Sequence, residues 1–449
     1  MNYEEAVAYI ESVPKFTSKT DLEHTARLLA VLGNPQDRIP HFIHVAGTNG
    51  KGSVCSYLNS VLTAAGYRCG LFTSPHLVRI NERMQTDGVP VSDEAFVKAF
   101  RRVMDAAAVC MQRGDAHPTY FEILFLMSMC LFEELAVNWC ILETGMGGRL
   151  DQTNVISTPD ITVITSVGMD HMQYLGNTLA AIAGEKAGII KPGIPVIYDA
   201  DRPEVAEVVR ARAGETGSPA VPVTSQQCTL QSRDADGIVF RYHRDGAQQA
   251  EAYRINSIAE YQMKNAALAV ETIAYLRQHS CSGTGQPLLK LTDEQLRKGI
   301  RSAVWPCRME RVADGVYLDG AHNADGIAAF IQTAAGFRKK GEITILFSAV
   351  SDKEYPEMIR QIAEGIRPEH VVVTGVGGSR KVSPEVLAQQ FRACGCPDVI
   401  TAPGAYEALQ AACQKRGSGT LFCVGSLYLA GELREIINAE NVIEHNGEL

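Results

Sequence analysis

Short runs of β-branched and other apolar residues alternate with helical segments along most of the 449-residue chain. Five runs in the first part end in small or polar residues: "HFIHVAG", "RCGLFTS", "NWCILETG", "ITVITSVG" and "IPVIYDA". This alternation is typical of parallel sheets wrapped by helices, so it predicts an α/β fold. Open α/β sheets bind ligands at the carboxyl ends of such strands.

The pattern changes after Thr224 to alternating short strands, followed by a helix in "AEYQMKNAALAVETIAYLRQH". We interpret these strands as a small β-rich appendage of the first domain. The stretch "CSGTGQPLLK" is predicted to be a loop, and from Val316 onward five strand–helix units predict a second, Rossmann-like doubly wound domain. The predicted domains are residues 1–303 and 304–449.

Composition excludes several classes of protein. The formal charge of −9 argues against broad binding to nucleic acid or anionic lipid, although a local basic pocket for a small anion is allowed. The N-terminus is acidic and helical in pattern, unlike a secretory signal, and the longest apolar stretch, "ILFLMSMCLF", is far short of the ~20 residues that span a bilayer. We therefore expect a cytoplasmic protein with reduced cysteines and no membrane partner.

The stretch "HVAGTNGKGSVCSYLNS" is a variant phosphate-binding loop. A strict loop reads G-x-x-x-x-G-K-[ST], whereas here Val45 takes the first glycine position and Gly52 follows Lys51. The physical requirements are still met, because a strand leads into three glycines, a lysine can neutralise phosphate, and the hydroxyl of Ser53 lies where Mg²⁺ could bind. The alternative is a glycine turn without function.

Several polar residues follow predicted strands at the ligand edge of a sheet. Glu143 ends "WCILE", where an acid can hold a cation, although a capping or surface role is the alternative. His171, taken alone, would more often be a structural histidine. Asp319 and His322 lie just past the first strand of the second domain, in a loop whose composition a turn-forming Asp and Asn would also explain. For Phe121, core packing is favoured over offering a ring face to a ligand.

The sequence G-T-N-G-K-G-S at residues 47–53 resembles the phosphate loop of the Mur-ligase-like ATP-dependent amide-bond ligases. Within that family it resembles the folylpolyglutamate and dihydrofolate synthases. Six further stretches support the resemblance and cover both predicted domains: "TSPHLVRINERM", "ETGMGGRLDQTNVI", "TSVGMDHMQYLG", "EKAGIIKPGIPVI", "WPCRME" and "LDGAHNADG". One departure is Cys307, where the family usually has a small residue before the arginine. It leaves open only the loop shape at Arg308.

The resemblance implies a role for each matching residue. The ATP contacts it implies are Gly47, Thr48, Asn49, Gly50, Lys51, Gly52, Ser53, Asn265, Arg308 and Asp319. It implies two Mg²⁺ ions served by Ser53, Glu143, His171 and a Lys186 carboxylated by CO₂ at its side-chain nitrogen. For folate it implies Ser74, His76, Phe121 and the loop from Gly147 to Asn154, with Asp151 and Asn154. Ser426 is implied to help hold glutamate, although a strand-end serine is often only a helix cap. Lys51, Arg308, Asp319 and His322 are the expected catalytic residues.

The expected function is an ATP-dependent ligase that adds L-glutamate to the γ-carboxylate of a folate through an acyl phosphate. Its active site is expected in the cleft between the domains, which should close on binding. Dihydrofolate synthase, which joins glutamate to dihydropteroate, is the nearest alternative. A cell-wall amino-acid ligase should need a further N-terminal domain, and only ~40 residues precede the phosphate loop here. A nucleotide-dependent switch is the alternative from another class. The expected partners are small molecules alone, and the resemblance implies a monomer.

Overall fold

The computed structural model describes residues 1–14, 21–279, 287–377 and 380–440. The first six residues of the loop predicted at 281–290 lie outside these ranges. Within the described ranges, no helix combines the length and apolar character needed to cross a membrane. The eleven cysteines found there form no disulfide with one another.

The elements are as follows. The helices are α1 (Tyr3–Ser12), α2 (Leu22–Val31), α3 (Lys51–Ala64), α4 (Asp93–Gln112), α5 (Tyr120–Glu134), α6 (Met172–Leu175), α7 (Leu179–Ala187), α8 (Pro203–Thr216), α9 (Tyr261–Gln278), α10 (Asp293–Ser302), α11 (Ala324–Ala334), α12 (Tyr355–Gly365), α13 (Pro384–Ala393), α14 (Ala405–Arg416) and α15 (Leu427–Glu440). The strands are β1 (His41–Ala46), β2 (Cys69–Phe72), β3 (Met84–Thr86), β4 (Val89–Pro90), β5 (Trp139–Glu143), β6 (Ile161–Ile164), β7 (Val196–Asp199), β8 (Ala220–Val223), β9 (Cys228–Arg233), β10 (Ile238–Tyr242), β11 (Glu251–Ile255), β12 (Glu310–Ala313), β13 (Val316–Leu318), β14 (Ile343–Phe347), β15 (His370–Thr374), β16 (Asp398–Ala402) and β17 (Thr420–Val424).

The chain separates into two compact units. Unit 1 comprises Met1–Ser232, Val239–Asn256 and Gln262–Val304, and unit 2 comprises Arg233–Ile238, Ser257–Tyr261 and Trp305–Leu449. The division is therefore not a single cut in the sequence, and the domain boundary between residues 303 and 304 remains a prediction.

Unit 1 is built on an eight-stranded sheet with the order β4-β3-β2-β5-β1-β6-β7-β8. The six strands from β2 to β8 in this order pair in parallel, and β3 and β4 add an antiparallel edge. Strand β1 lies between β5 and β6, where the order of the sheet reverses. Because open α/β sheets bind ligands at such a switch point, the loop after β1 is placed at the expected ligand edge.

Helix α5 explains the longest apolar stretch of the sequence. It begins at Tyr120, after the N-cap residue Thr119, whose side chain caps the helix together with that of Glu122. Almost every side chain from Tyr120 to Phe132 is buried. A helix that is apolar all round is typical of a protein core, and α5 belongs to the main hydrophobic cluster of unit 1. The buried helix predicted here is confirmed.

The predicted β-rich appendage is the three-stranded sheet β11-β10-β9. Its attachment to α9 is polar, because Arg244 donates two hydrogen bonds of 2.9 Å to Glu271. The hydroxyl of Tyr242 donates a third at 3.1 Å to the same carboxylate. The buried carboxylate is thus satisfied by three donors, as burial of a charge requires.

Unit 2 contains a six-stranded sheet with the order β12-β13-β17-β14-β15-β16. The five strands from β13 to β16 in this order pair in parallel, which confirms the five strand–helix units predicted after Val316. The antiparallel edge strand β12 was not predicted. The two-domain α/β fold class is confirmed.

Gly299 in α10 should be necessary for the packing of the phosphate-loop helix α3. A Cβ atom added there would lie 2.3 Å from Cα of Val61, so Gly299→Ala should lower the free energy of unfolding by about 1–3 kcal/mol despite alanine's higher helix propensity. Gly214 in α8 is the matched control, because nothing lies within 4 Å of an added Cβ and Gly214→Ala should stabilise by about 0.5–1 kcal/mol. Urea denaturation measures both. Equal stabilisation by the two substitutions would contradict the packing.

Candidate active site

The turn between β1 and α3 is packed from both sides by protein atoms. A Cβ atom on Gly47 would lie 1.8 Å from Oγ1 of Thr165, and one on Gly50 would lie 2.5 Å from Oδ1 of Asn265. Gly50 also has φ +89°, a left-handed conformation that glycine adopts without strain. Both glycines are therefore required by packing within the protein, in addition to any approach of a ligand.

Loop residues Thr48 and Asn49 are tied to the segment after β6. Their backbone N–H groups both donate to the carbonyl of Ser166, at 2.7 and 3.1 Å. The hydroxyl of Thr165 donates in return to the carbonyl of Asn49, at 2.8 Å. In the next stretch, the backbone N–H groups of the first turn of α3, which begins at Lys51, have no acceptor within the helix. A helix start of this kind is an anion-binding site.

Helix α9 supports the start of α3 from the other side. Gln262 donates from Nε2 to the hydroxyl oxygen of the buried Ser53 at 3.0 Å. The side-chain amide of Asn265 donates to Oε1 of Gln262, also at 3.0 Å. The relay places Asn265 against Gly50 and fixes the hydroxyl of Ser53. Asn265 and Ser53, predicted from distant motifs, are thus brought together.

Lys51 and Glu143 face each other at the ligand edge. Nζ of Lys51 lies 3.8 Å from Oε1 of Glu143 and 3.2 Å from the carbonyl of Thr48, to which it donates. Glu143 ends β5 beside Val45 of β1, and its carboxylate accepts a hydrogen bond of 3.1 Å from the backbone N–H of Ser74. The buried carboxylate thus joins the phosphate loop to the predicted folate segment.

Lys186 is buried beneath the phosphate loop. It lies at the end of α7 with 3% of its surface exposed, and its Nζ donates to the carbonyl of Gly47 at 2.8 Å. Burial lowers the pKa of Lys186 from 10.5 to about 7, and repulsion from Lys51 acts in the same direction. A large fraction of the amine is therefore neutral near neutral pH.

His171 begins the short helix α6 in a left-handed conformation, with φ +51°. Its Nε2 lies 4.0 Å from the carboxylate of Asp170, and Asp170 is one of the two acids whose charge raises the pKa of Lys186. The histidine is thus placed beside an acid of the site, although its role as a metal ligand stays a prediction.

The loop "TGMGG" after β5, residues 144–148, is called the glycine loop, and Asp151 holds it in place. One carboxylate oxygen accepts from the backbone N–H groups of Gly145 and Met146, at 2.9 and 3.0 Å. The other accepts from the backbone N–H and hydroxyl of Thr153, at 3.1 and 2.5 Å. Asn154 likewise donates to the carbonyls of Arg149 and Gly188. Both predicted folate residues therefore shape the loop.

Two further predicted folate residues have protein partners. Nε of the buried Arg83 donates to Nδ1 of His76 at 2.9 Å, which leaves the proton of a neutral His76 on Nε2. The ring of Phe121 lies against the glycine loop, because a Cβ atom on Gly145 would be 2.6 Å from its Cε2. Phe121 also contacts Phe72 with ring centroids 5.5 Å apart, in agreement with the favoured core role.

In unit 2, Asp319 is buried and fully hydrogen-bonded. Oδ2 accepts from the hydroxyl of Tyr261 at 2.8 Å and the backbone N–H of Met309 at 2.9 Å, and Oδ1 accepts from the N–H of Ala321 at 2.8 Å. Burial raises the pKa of Asp319, and the nearby Arg308 opposes that rise. The aspartate thus fixes the loop in which it lies.

Arg308 is held by the loop that precedes β12. It donates to the carbonyl of Cys307 at 2.8 Å, and a Cβ atom on Gly320 would lie 2.5 Å from its guanidinium. Cys307 itself has φ +55°, a conformation that favours glycine. This backbone requirement gives a physical reason for a small residue at position 307, and it shows that the cysteine keeps the left-handed turn.

His322 and Ser426 lie on adjacent loops of the unit 2 sheet, joined by a hydrogen bond from the N–H of Gly425 to the carbonyl of Ala321. Nδ1 of His322 is 2.8 Å from the carbonyl of Gly320, so a neutral ring has its proton on Nδ1 and a lone pair on Nε2. The hydroxyl of Ser426 accepts from the N–H groups of Tyr428 and Leu429, as a helix cap does.

Thr165, Ser166, Tyr261 and Gln262 are among the residues of the site that were not predicted. Thr165 and Ser166 belong to "TSVGMDH", a stretch already singled out for its histidine. Gln262 lies three positions before Asn265, on the same face of α9. The three-residue spacing from Asn265 could have indicated that Gln262 faces the phosphate loop, but only the structure shows its contact with Ser53.

Comparison with known proteins agrees with this arrangement. Residues 45–273 match the Mur ligase middle domain, and residues 307–427 match the Mur ligase glutamate ligase domain. A dihydrofolate synthase/folylpolyglutamate synthase of Bacillus subtilis is 38% identical over 365 residues, covering 80% of this chain and 82% of that protein. A folylpolyglutamate synthase of Lacticaseibacillus casei is 34% identical over 97% of this chain and 99% of its own length.

The fold matches solved structures as well. One is described as an FPGS-AMPPCP-folate complex and superposes with a TM-score of 0.83 and 32% identity, over 97% of this chain and all of that one. The chain belongs to the folylpolyglutamate synthase and dihydrofolate synthase family of Mur ligases.

The low pKa of Lys186 predicts a pH dependence of stability. Because its folded pKa of about 7 lies below its ordinary value of 10.5, the unfolded chain binds more protons between these pH values. The free energy of unfolding should therefore contain a contribution that increases with pH from about 7 to 10.5. Lys186→Met should lack this contribution when both proteins are unfolded with urea in CO₂-free buffer. Parallel pH profiles for the two proteins would contradict the lowered pKa.

Proposed function

We propose that this chain adds L-glutamate to the γ-carboxylate of a folate, with ATP as the source of energy. The observation that carries the proposal is the group formed by Lys51, Glu143 and Lys186 around a phosphate loop, directly joined to Ser74 and the glycine loop. This group combines anion binding with acidic and titratable side chains. The relatives named as folylpolyglutamate synthases support the substrate class.

The reaction has two steps. The γ-phosphoryl group of ATP is transferred to a carboxylate oxygen of the folate, so that ADP leaves and an acyl phosphate forms. The amine of glutamate then attacks the acyl carbon and forms the amide C–N bond. The C–O bond to the phosphate breaks, inorganic phosphate leaves with the bonding electrons, and the amine loses a proton. The first step brings two anions together, so positive charge from Lys51, Arg308 and the amides of the first turn of α3 lowers its barrier.

The donors present fit Mg²⁺ bound mainly through the nucleotide. Among the residues with described structure, no cluster of three His, Cys, Asp or Glu side chains could hold a metal. Mg²⁺ commonly binds through one or two protein groups together with phosphate oxygens and water, and Ser53, Glu143 and His171 would supply the protein groups. The ion would neutralise charge on the transferred phosphoryl group.

Carboxylation of Lys186 would add a negatively charged oxygen ligand for a second ion. The reaction requires the neutral amine, which burial and Lys51 make abundant near pH 7. In the product the nitrogen keeps one hydrogen, which is enough to donate to the carbonyl of Gly47. A ¹³C spectrum recorded in ¹³C-bicarbonate that contains no carbamate signal would exclude the modification.

His322 is better suited than Asp319 to take the proton from the amine. Both oxygens of Asp319 already accept hydrogen bonds from Tyr261, Met309 and Ala321. The bond from Nδ1 of His322 to the carbonyl of Gly320 places the lone pair of a neutral ring on Nε2, which is the atom that would accept the proton. A positioned base of this kind contributes about 10²–10⁴-fold to rate.

Dihydrofolate synthase remains the second candidate, because the Bacillus subtilis relative carries both activities in its name. The two reactions share their chemistry and differ only in the acid that is activated. We further propose that the chain acts in the cytoplasm and that it is a monomer, since a net charge of −9 opposes self-association. A dimer in analytical ultracentrifugation would contradict the monomer.

The decisive experiment combines phosphate release with product mass. The enzyme is given Mg·ATP, L-glutamate and either tetrahydrofolate or dihydropteroate. A gain of one glutamyl unit on tetrahydrofolate is expected, and the same gain on dihydropteroate would show both activities. ATP turnover that continues without glutamate, with no gain of mass on either substrate, would contradict the proposal and favour a nucleotide switch.

His322→Ala should lower kcat by about 10²–10⁴-fold and remove the part of the pH profile in which rate rises as the base loses its proton. KM for ATP should change little, because the proposed proton transfer follows ATP binding. His370→Gln is the control, since His370 bonds to Asp398 at 2.8 Å at the opposite, amino end of its strand. An unchanged pH profile in His322→Ala would remove His322 from the mechanism.

A further inference from the structure

A buried pair of ionisable side chains, His24 on α2 and Glu122 on α5, is not used by the mechanism above. They are 3% and 0% exposed. Nδ1 of His24 is 2.8 Å from Oε1 of Glu122, and Nε2 is 3.0 Å from the carbonyl of Ala116. Both nitrogens of this ring therefore face oxygen acceptors.

These contacts fix the number of protons in the pair. A backbone carbonyl can only accept, so Nε2 must carry a hydrogen. The contact between Nδ1 and the carboxylate then needs a second proton, and the other donors to Glu122 do not supply it. Those donors are the hydroxyl of Thr25 at 2.7 Å and the N–H of Thr119 at 2.9 Å. Wherever the shared proton lies, the pair holds one proton more than a neutral imidazole and a carboxylate, and it is neutral as a unit.

The pair is connected to the active site by neighbours in sequence and space. Glu122 fixes the first turn of α5, where Phe121 precedes it. The ring of Phe121 lies against Gly145, where even a Cβ atom would be 2.6 Å from Cε2. Gly145 follows Glu143 by two positions, and its N–H donates to Asp151. Movement of the first turn of α5 would therefore displace Phe121 and change the position of the glycine loop.

We infer that the His24–Glu122 pair positions the glycine loop of the active site, so that breaking the pair loosens that loop and weakens productive binding of the folate. The expected change in KM for folate rests on the proposed function. His24 and Glu122 are thereby positioning residues that act through Phe121 and Gly145, without touching the substrate.

Kinetic measurements on His24→Gln and Glu122→Gln test the inference. Both variants should have KM for folate raised about tenfold relative to the wild type, while KM for ATP stays constant. His117→Gln is the matched control, because it removes a histidine that lies next to Ala116 but contacts the hydroxyl of Tyr9 instead of Glu122, and it should leave both constants unchanged. A KM for folate that is unchanged in His24→Gln would overturn the inference.

Two measurements are independent of catalysis. Ring ¹⁵N spectra of wild-type His24, read with the ¹³C signal of the Glu122 carboxyl, should show the extra proton at pH 7. Hydrogen exchange at Gly145 and Met146 should be faster in His24→Gln, with exchange at Thr48 and Asn49 unchanged. A singly protonated ring beside an ionised Glu122, or unchanged exchange at Gly145, would refute the positioning role. If the wild type adds glutamate to no substrate, the proposed function fails, while these two measurements still decide the role of the pair.

Discussion

Close packing at the turn between β1 and α3 is the constraint on which the rest of the site depends. Thr165 fills the space beside Gly47, and Asn265 fills the space beside Gly50, so neither glycine can acquire a side chain without displacing a neighbour. The carbonyl of Gly47 in turn accepts the hydrogen bond that orients the buried Lys186. The phosphate loop is therefore shaped by the surrounding protein before any ligand binds, which reduces the ordering that binding must impose.

The sequence predicted the large strands of both sheets because each is a buried apolar run bounded by small or polar residues. It did not predict β3, β4, β8 and β12, which have only two to four residues and lie at sheet edges or next to one. Glu143 was correctly placed at a strand end, where parallel strands bring their carboxyl ends together. The support from Gln262 to Ser53 was not predictable, because these residues are 209 positions apart and meet only through tertiary packing.

Carboxylates near strand ends illustrate what sequence patterns leave open. Asp151, Asp319 and Glu143 all occupy positions where an acid could serve a ligand, and sequence cannot count the donors around each one. The structure surrounds Asp151 with four donors and Asp319 with three, all from the protein. Both acids therefore organise their loops. Glu143, beside Lys51, combines a protein contact with a position at the phosphate loop.

The burial of α5 on all its faces also limits how this region can change during evolution. A helix with one solvent-facing side can accept neutral substitutions there, whereas almost every side chain from Tyr120 to Phe132 contacts other core residues. Substitutions in contacting residues are generally not additive in their effect on stability. New variants of α5 should therefore arise as compensating pairs, and the helix that places Phe121 at the site should drift more slowly than its exposed neighbours.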